Sequence, residues 1–163
     1  MAKVIAIANQ KGGVGKTTTA INLSTCVAER GKKVLLIDID PQGNATSGLS
    51  VSKLENESVY DVLIAETTLQ SVIKPTMVKN LYICPSSIDL AGAEVELVPL
   101  EAREKRLKLA IESLEQKFDY IFIDCPPSLG LITLNAFAAA NSVLVPIQAE
   151  YYALEGLGQL VNT

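Results

Sequence analysis

The chain has 163 residues, 48% of them hydrophobic and 20% charged, and carries a formal net charge of −4. That length suits one domain with a sizeable core, and that composition excludes a disordered chain. The acidic balance disfavours a nucleic-acid binder that works through bulk positive charge and leaves only a local basic patch for such a role.

Val4-Ile5-Ala6-Ile7-Ala8 is an uninterrupted apolar run, which predicts a strand over 3–8 buried on both faces of a parallel sheet. Residues 16–30 predict a helix, with Ala20, Leu23, Val27 and Ala28 at helical spacing and Gly31 where a C-cap belongs. Val34–Asp40 predicts a second buried strand, with carboxylates at its carboxyl end, and Pro41–Gly48 reads as a loop by composition. Residues 58–66 predict a short helix capped by Ser58; 67–80 carry no clear pattern, and Pro75 implies a break. Leu81–Cys84 predicts a strand, and Leu90–Val98 a turn or two of helix. After Pro99 a long helix is expected, with Leu107, Ala110, Ile111 and Leu114 as its buried stripe. Glu101 with Lys105 and Glu104 with Lys108 would be its i,i+4 pairs, and Arg103–Arg106 reads as a solvated face. Tyr120–Asp124 predicts a strand ending in a carboxylate, followed by a stiff loop, a helix over 131–140 ended by Asn141, and a strand over Ser142–Ile147. Leu154, Leu157, Leu160 and Val161 begin an apolar-periodic pattern in which the chain stops; residues 1–163 are therefore expected to be the N-terminal part of a single, C-terminally truncated domain.

Strands alternating with helices predict a doubly wound α/β domain, mainly parallel, with helices on both sheet faces and ligands at the carboxyl ends of the strands. The stretch Gln10-Lys11-Gly12-Gly13-Val14-Gly15-Lys16-Thr17-Thr18 lies at that edge, between a strand and a helix. Glycines let successive N–H groups point at one anion, and the helix N-terminus adds its dipole. Lys16 supplies full charge, and the Thr17 hydroxyl suits Mg²⁺. The standard pattern wants glycine where Gln10 stands, and a second lysine, Lys11, opens the loop instead.

Asp38, Asp40, Asp124 and Glu150 fall at the same edge. Phosphoryl transfer to water needs neutralised phosphates, a held metal and a water placed in line. Asp124 suits the metal side, and a helix cap is its plainer role; Asp40 suits placing the water, against a turn-forming Asp before Pro41. Asp38 is a candidate for supporting Thr17 or the metal from behind. Lys11 has three open roles: its own nucleotide's phosphates, a site across a dimer interface, or a solvated surface. Cys26, Cys84 and Cys125 are far apart with no C-x-x-C, which predicts a reducing compartment and neither zinc nor a disulfide framework. The first apolar run is too short for a signal-peptide core and no later run suits a membrane span, so a cytoplasmic protein is expected.

Lys11-Gly12-Gly13-Val14-Gly15-Lys16-Thr17-Thr18 resembles the deviant phosphate loop of the ParA/MinD family of P-loop ATPases. Asp38–Gly48, Asp124–Ser128 and Gln148–Gly156 resemble its ParA (Soj) partition branch in particular. The resemblance implies ATP and Mg²⁺ as cofactors and an ATP-dependent nucleotide-sandwich homodimer in which Lys11 reaches the partner's nucleotide. It also implies non-specific DNA binding by that dimer, hydrolysis stimulated by a ParB-type centromere-bound partner, and nucleoid association without stable membrane binding. Carried onto this chain, Lys11, Gly12, Gly13, Val14, Gly15, Lys16, Thr17 and Thr18 bind nucleotide, Thr17 and Asp124 serve the metal, and Lys11, Lys16 and Asp40 serve hydrolysis. Family members run on past Thr163, where most adenine and DNA contacts would lie. Three other readings compete. One is a MinD-like division-site ATPase, which the Pro41-Gln42-Gly43-Asn44 loop disfavours. The others are an iron-protein-type reductase, for which Cys84 and Cys125 lack context, and a non-catalytic nucleotide-gated module.

Overall fold

The computed structural model describes residues 2–51 and 57–149. Glu150 and the periodic stretch 151–163 lie outside them. In chain order the elements are β1 (Lys3–Ile7), α1 (Lys16–Glu29), β2 (Val34–Asp38), α2 (Asn44–Gly48), α3 (Val59–Leu63), α4 (Leu69–Val72) and β3 (Lys74–Pro75). There follow β4 (Leu81–Cys84), α5 (Leu90–Leu97), α6 (Arg106–Glu112), β5 (Tyr120–Asp124), α7 (Leu131–Ala139) and β6 (Ser142–Leu144). The strands form one sheet in the order β3-β4-β2-β5-β1-β6, parallel except for the short β3 edge. Pro75 sits in that edge strand, where a missing N–H costs least.

Alternation along each strand divides the core in two. Val34, Leu36, Ile83 and Phe122 meet Ala20 and Ala28 of α1 and Ala45 of α2 on one face. Leu35, Ile37, Ile121 and Ile123 meet α3, α4, α5, α6 and α7 on the other. Every residue of β2 is buried, which is why its sequence is uniformly apolar until the carboxylate. The expected doubly wound, helix-covered parallel sheet is what forms.

Four local expectations need correction. Asn44–Gly48 is helical and not loop, although Asn, Thr, Ser and Gly are poor helix formers. Gly43 enters it in the left-handed region at φ 61°, and the buried Asp38 carboxylate holds its Thr46. The helix expected after Pro99 starts only at Arg106. Ala102 turns the chain at φ 51°, and Asn135 of α7 accepts from Leu107 N–H and donates to Arg103 C=O, capping the later start. Glu101 and Lys105 are therefore not paired along a helix; Arg103 pairs with Glu104 instead, at 2.9 Å. The stripe itself is correct, with Leu107 fully buried and Ala110, Ile111 and Leu114 packed beside it. The strands expected to reach Asp40 and Ile147 stop at Asp38 and Leu144.

Smaller features follow from capping chemistry. Ser58 and Asp61 form a capping box at α3. Gly31, at φ 82°, ends α1 as expected, its N–H donating to Ala28 C=O. Asn141 ends the last helix by pairing with β1 in both directions: Val4 N–H donates to its Oδ1 and its own N–H donates to Val4 C=O. Among the described residues no helix is long and apolar enough to cross a membrane.

Candidate phosphate-binding site

Register brings the site together. Ile7, Asp124 and Asp38 are cross-strand neighbours at the carboxyl ends of β1, β5 and β2. The glycine loop leaves β1 at that level. Gly13 and Gly15 adopt φ of 71° and 90°, and nothing lies within 4 Å of where a Cβ would stand on Gly12, Gly13 or Gly15. The loop therefore has an open concavity and a backbone that only glycine adopts at low cost. Val14 is buried, Lys11 and Gly15 half-buried, and Gly12, Gly13 and Thr18 exposed.

Lys16 begins α1 and is only 7% exposed. Its Nζ donates to Lys11 C=O across the loop at 3.0 Å. Burial lowers its pKa, and the Asp124 and Asp40 carboxylates oppose that shift by favouring the ammonium. Asp124 is fully buried, and neither carboxylate oxygen has a hydrogen-bond partner. Burial pushes its pKa up to about 7; the Asp38 and Asp40 charges add to this, while Thr17 and Lys16 oppose it. The Thr17 hydroxyl is near enough to favour the ionised form but does not reach bonding geometry with either oxygen.

Asp38 differs. It is as buried, yet Oδ2 accepts from Thr46 N–H at 2.8 Å and Thr46 Oγ1 at 2.7 Å, and Oδ1 accepts from Asp40 N–H at 3.2 Å. Its carboxylate bonds go to Thr46 and Asp40, which makes it a local organiser of α2. Asp40 lies at the mouth of the edge, its Oδ1 accepting from Gln42 N–H at 2.9 Å and its C=O from Gly43 N–H and the Ser86 hydroxyl. Structure thus gathers Lys11, Lys16, Thr17, Asp40 and Asp124 at one edge; Glu150 lies outside the described residues.

Four residues to which sequence reasoning assigned no role hold this edge. Asn9 is buried, accepts from Lys11 N–H at 3.0 Å and donates to Pro146 C=O at 2.9 Å, tying the loop to the chain after β6. Gln148 donates to Gly13 C=O from the same segment. Thr46 and Ser86 link the ends of β2 and β4, since Ser86 N–H donates to Thr46 Oγ1. A single polar residue beside a motif is the one sequence signal these offer.

The residues present suit a phosphate group with a hard cation. The loop offers N–H groups and a lysine, and the orphaned Asp124 oxygens offer acceptors. Among the described residues no three His, Cys, Asp or Glu side chains could hold a metal unaided, so a cation here would depend on ligand oxygens and water.

The parallel sheet, the glycine loop opening α1 and the acid at the end of β5 define an α/β domain of the P-loop NTPase type. The profile of the AAA domain family matches residues 2–163. The chain is 61% identical over 164 residues to the sporulation initiation inhibitor protein Soj of Bacillus subtilis, covering all of this chain and 65% of that protein. It is 55% identical over 163 residues to the chromosome partitioning protein ParA of Myxococcus xanthus, covering 99% of this chain and 57% of that one. A crystal structure titled cobyrinic acid a,c-diamide synthase from Mycobacterium smegmatis, with bound ATP analog and magnesium, superposes with a TM-score of 0.94 at 43% identity, over 99% of this chain and 66% of that one. The chain belongs to the AAA domain family, and the curated proteins it resembles are of the ParA/Soj type. It spans less than two thirds of the length of these relatives.

Proposed function

We propose that this chain is the N-terminal part of a single P-loop ATPase domain that binds ATP with Mg²⁺ and hydrolyses it to drive DNA partition. The observation that carries this reading is the pairing of an open glycine loop and Lys16 with the unpartnered, buried Asp124 at one sheet edge. Relatives named for chromosome partitioning favour partition over a membrane-cycling division-site role. The structure titled as a synthase supports the nucleotide and the cation more than the biological task, because one site type serves many tasks on one fold.

In the proposed mechanism the loop N–H groups of Gly12, Gly13, Val14 and Gly15 cradle the phosphates, with Thr18 at the helix start. Lys16 exchanges its bond to Lys11 C=O for phosphate oxygens, where its charge opposes the charge that builds during transfer. Lys11 addresses a nucleotide, its own or that of a second copy. Thr17 and Asp124 would hold Mg²⁺, which when bound neutralises phosphate charge. Asp40 orients the attacking water and accepts its proton. The full-length protein would dimerise on ATP, bind DNA without sequence preference and answer a ParB-type partner, as a cytoplasmic, nucleoid-associated protein.

Lys16→Ala tests the site. ATP affinity by calorimetry should fall by at least about a hundredfold, consistent with the loss of a charge-assisted contact in a dry loop. Retained affinity would remove the phosphate-loop assignment.

A further inference from the structure

The turn that presents Asp40 is closed within itself. Gly43 N–H donates to Asp40 C=O at 2.8 Å and Gln42 N–H to Asp40 Oδ1 at 2.9 Å, so residues 40–43 form one hydrogen-bonded unit. Pro41 stiffens it with a fixed φ. Such a unit keeps its shape when it pivots at its junction with β2, which ends at Asp38. Any pivot carries the Asp40 carboxylate with it.

Two hydrogen bonds hold the Asp40 peptide groups against that movement. Asp40 N–H donates to Asp38 Oδ1 at 3.2 Å, and Asp40 C=O accepts from the hydroxyl of Ser86, just past the end of β4. These bonds belong to a closed ring. Ser86 N–H donates to Thr46 Oγ1 at 3.0 Å, and Thr46 Oγ1 donates to Asp38 Oδ2 at 2.7 Å. Asp38 Oδ1 then leads back to Asp40, whose carbonyl Ser86 holds. Ser86, Thr46 and Asp38 are all fully buried, so water does not compete for these bonds.

The ring does what the sheet no longer does at this level. Backbone pairing of β2 with β4 ends at Ile37 and Cys84, and beyond it side chains join the two strand ends. Ser86 is itself well founded, since Pro85 C=O accepts from Val59 N–H at 2.9 Å, joining this end of β4 to the start of α3. Among the described residues the Ser86 N–H and hydroxyl bond to Thr46 and Asp40 and to no residue of the glycine loop.

We propose, resting on the reading above of Asp40 as the residue that orients the water, that Ser86 is a positioning residue for hydrolysis. Through the Asp40 carbonyl it fixes where the Asp40 carboxylate stands at the phosphate edge. Its loss bears on the placing of the water and not on the hold of the phosphates. Ser86→Ala is a narrow change. The Ser86 N–H stays on Thr46, and Asp40 C=O keeps Gly43 N–H, so no buried group is orphaned.

The test uses full-length protein with ATP and Mg²⁺. Ser86→Ala should lower kcat for phosphate release about tenfold while KM, and the calorimetric affinity for a non-hydrolysable ATP analog, stay within about twofold. Its melting temperature should fall by no more than about 4 °C. Asp40→Ala supplies the reference: its residual turnover should be the same with and without Ser86→Ala, because the carboxylate to be positioned is gone. The proposal is overturned if Ser86→Ala turns over as wild type while Asp40→Ala is slowed, a result that leaves the reading of Asp40 standing. It is overturned if kcat and analog affinity fall together, the mark of a structural role alone. It is also overturned if Ser86→Ala slows the Asp40→Ala variant about tenfold again, which would be a route that bypasses Asp40. Full turnover by Asp40→Ala itself would remove Asp40 from the mechanism and this role of Ser86 with it.

Discussion

The ends of β2 and β5 lie side by side, and each closes with an aspartate in register with the other. Both carboxylates are fully buried, and burial raises both pKa values. Asp38 accepts three hydrogen bonds, from Thr46 N–H, the Thr46 hydroxyl and Asp40 N–H. Asp124 accepts none. A buried polar group without a partner costs free energy, so a domain keeps one where something else completes it. The β2 end is finished by the protein itself, and the β5 end leaves both Asp124 oxygens without a protein partner. Equal burial and equal chemistry thus mark opposite purposes, and the hydrogen-bond inventory is what separates them.

The largest effect expected from breaking that contrast is at the finished end. Asp38→Ala leaves the Thr46 and Asp40 donors buried without an acceptor and removes the anchor of α2, at a cost of about 3 kcal/mol or more. Urea denaturation of the ligand-free chain measures it. A loss no greater than that of Asp124→Ala would erase the distinction between the two ends.

At the unfinished end the sign reverses. Asp124→Asn removes a charge that the ligand-free fold stabilises poorly, and should raise stability at pH 8 by roughly 2 kcal/mol, the buried amide keeping some of the cost. The pH dependence follows from the raised pKa. With 3.8 as the ordinary value and about 7 in the fold, the folded state binds the Asp124 proton more tightly than the unfolded chain. That contribution is fully present below pH 3.8 and is lost as pH rises through 7. The difference between wild type and Asp124→Asn should therefore open between pH 4 and 7. Mg²⁺ with ATP should narrow that difference at pH 8, because it stabilises the ionised wild type and not the variant. A difference constant across this pH range would show that Asp124 does not titrate there.

The unequal legibility of the two ends has a physical basis. Lys16 stands out in the sequence because it ends a glycine loop between strand and helix, and Asp40 and Asp124 because each closes an apolar run, where a charge is costly enough to be conspicuous. The topology was readable for the same reason: uninterrupted apolar strands require both faces covered. The partners that decide the difference between Asp38 and Asp124 were not readable. Thr46 sits in a stretch whose composition says loop, yet it is helical, and a carboxylate eight residues earlier accepts from it. Asn9 bonds a carbonyl 137 residues away, and Asn135 caps a helix 28 residues before it. Such contacts are set by the fold, and no local propensity encodes them.

Asn9 offers an effect of intermediate size. Asn9→Ala unties Lys11 N–H from Pro146 C=O and should cost about 1 kcal/mol of stability, with a parallel loss of nucleotide affinity as the loop opening loosens. Denaturant melts read the first and calorimetry the second. Weaker nucleotide binding with full stability would mean that Asn9 orders the loop only when phosphate is bound.

The smallest effect is expected where the loop after Asp124 meets α5. A methyl at Gly130 would overlap the Glu94 carboxylate, but Gly130 has φ of −76° and Glu94 is a flexible side chain, so the collision is relieved by swinging Glu94 away. Gly130→Ala should therefore change stability by less than about 0.5 kcal/mol, the entropy gained from alanine offsetting the displaced carboxylate. The acid now lies against the N-terminus of α7, where a negative charge is favoured, so a double variant with Glu94→Gln apportions the two contributions. If Gly130→Ala loses no stability but the double variant does, the carboxylate finds another site on α7 when displaced. If Gly130→Ala alone costs several kcal/mol, Glu94 is held rigidly, and the contact between α5 and the loop is stiffer than a half-buried glutamate implies.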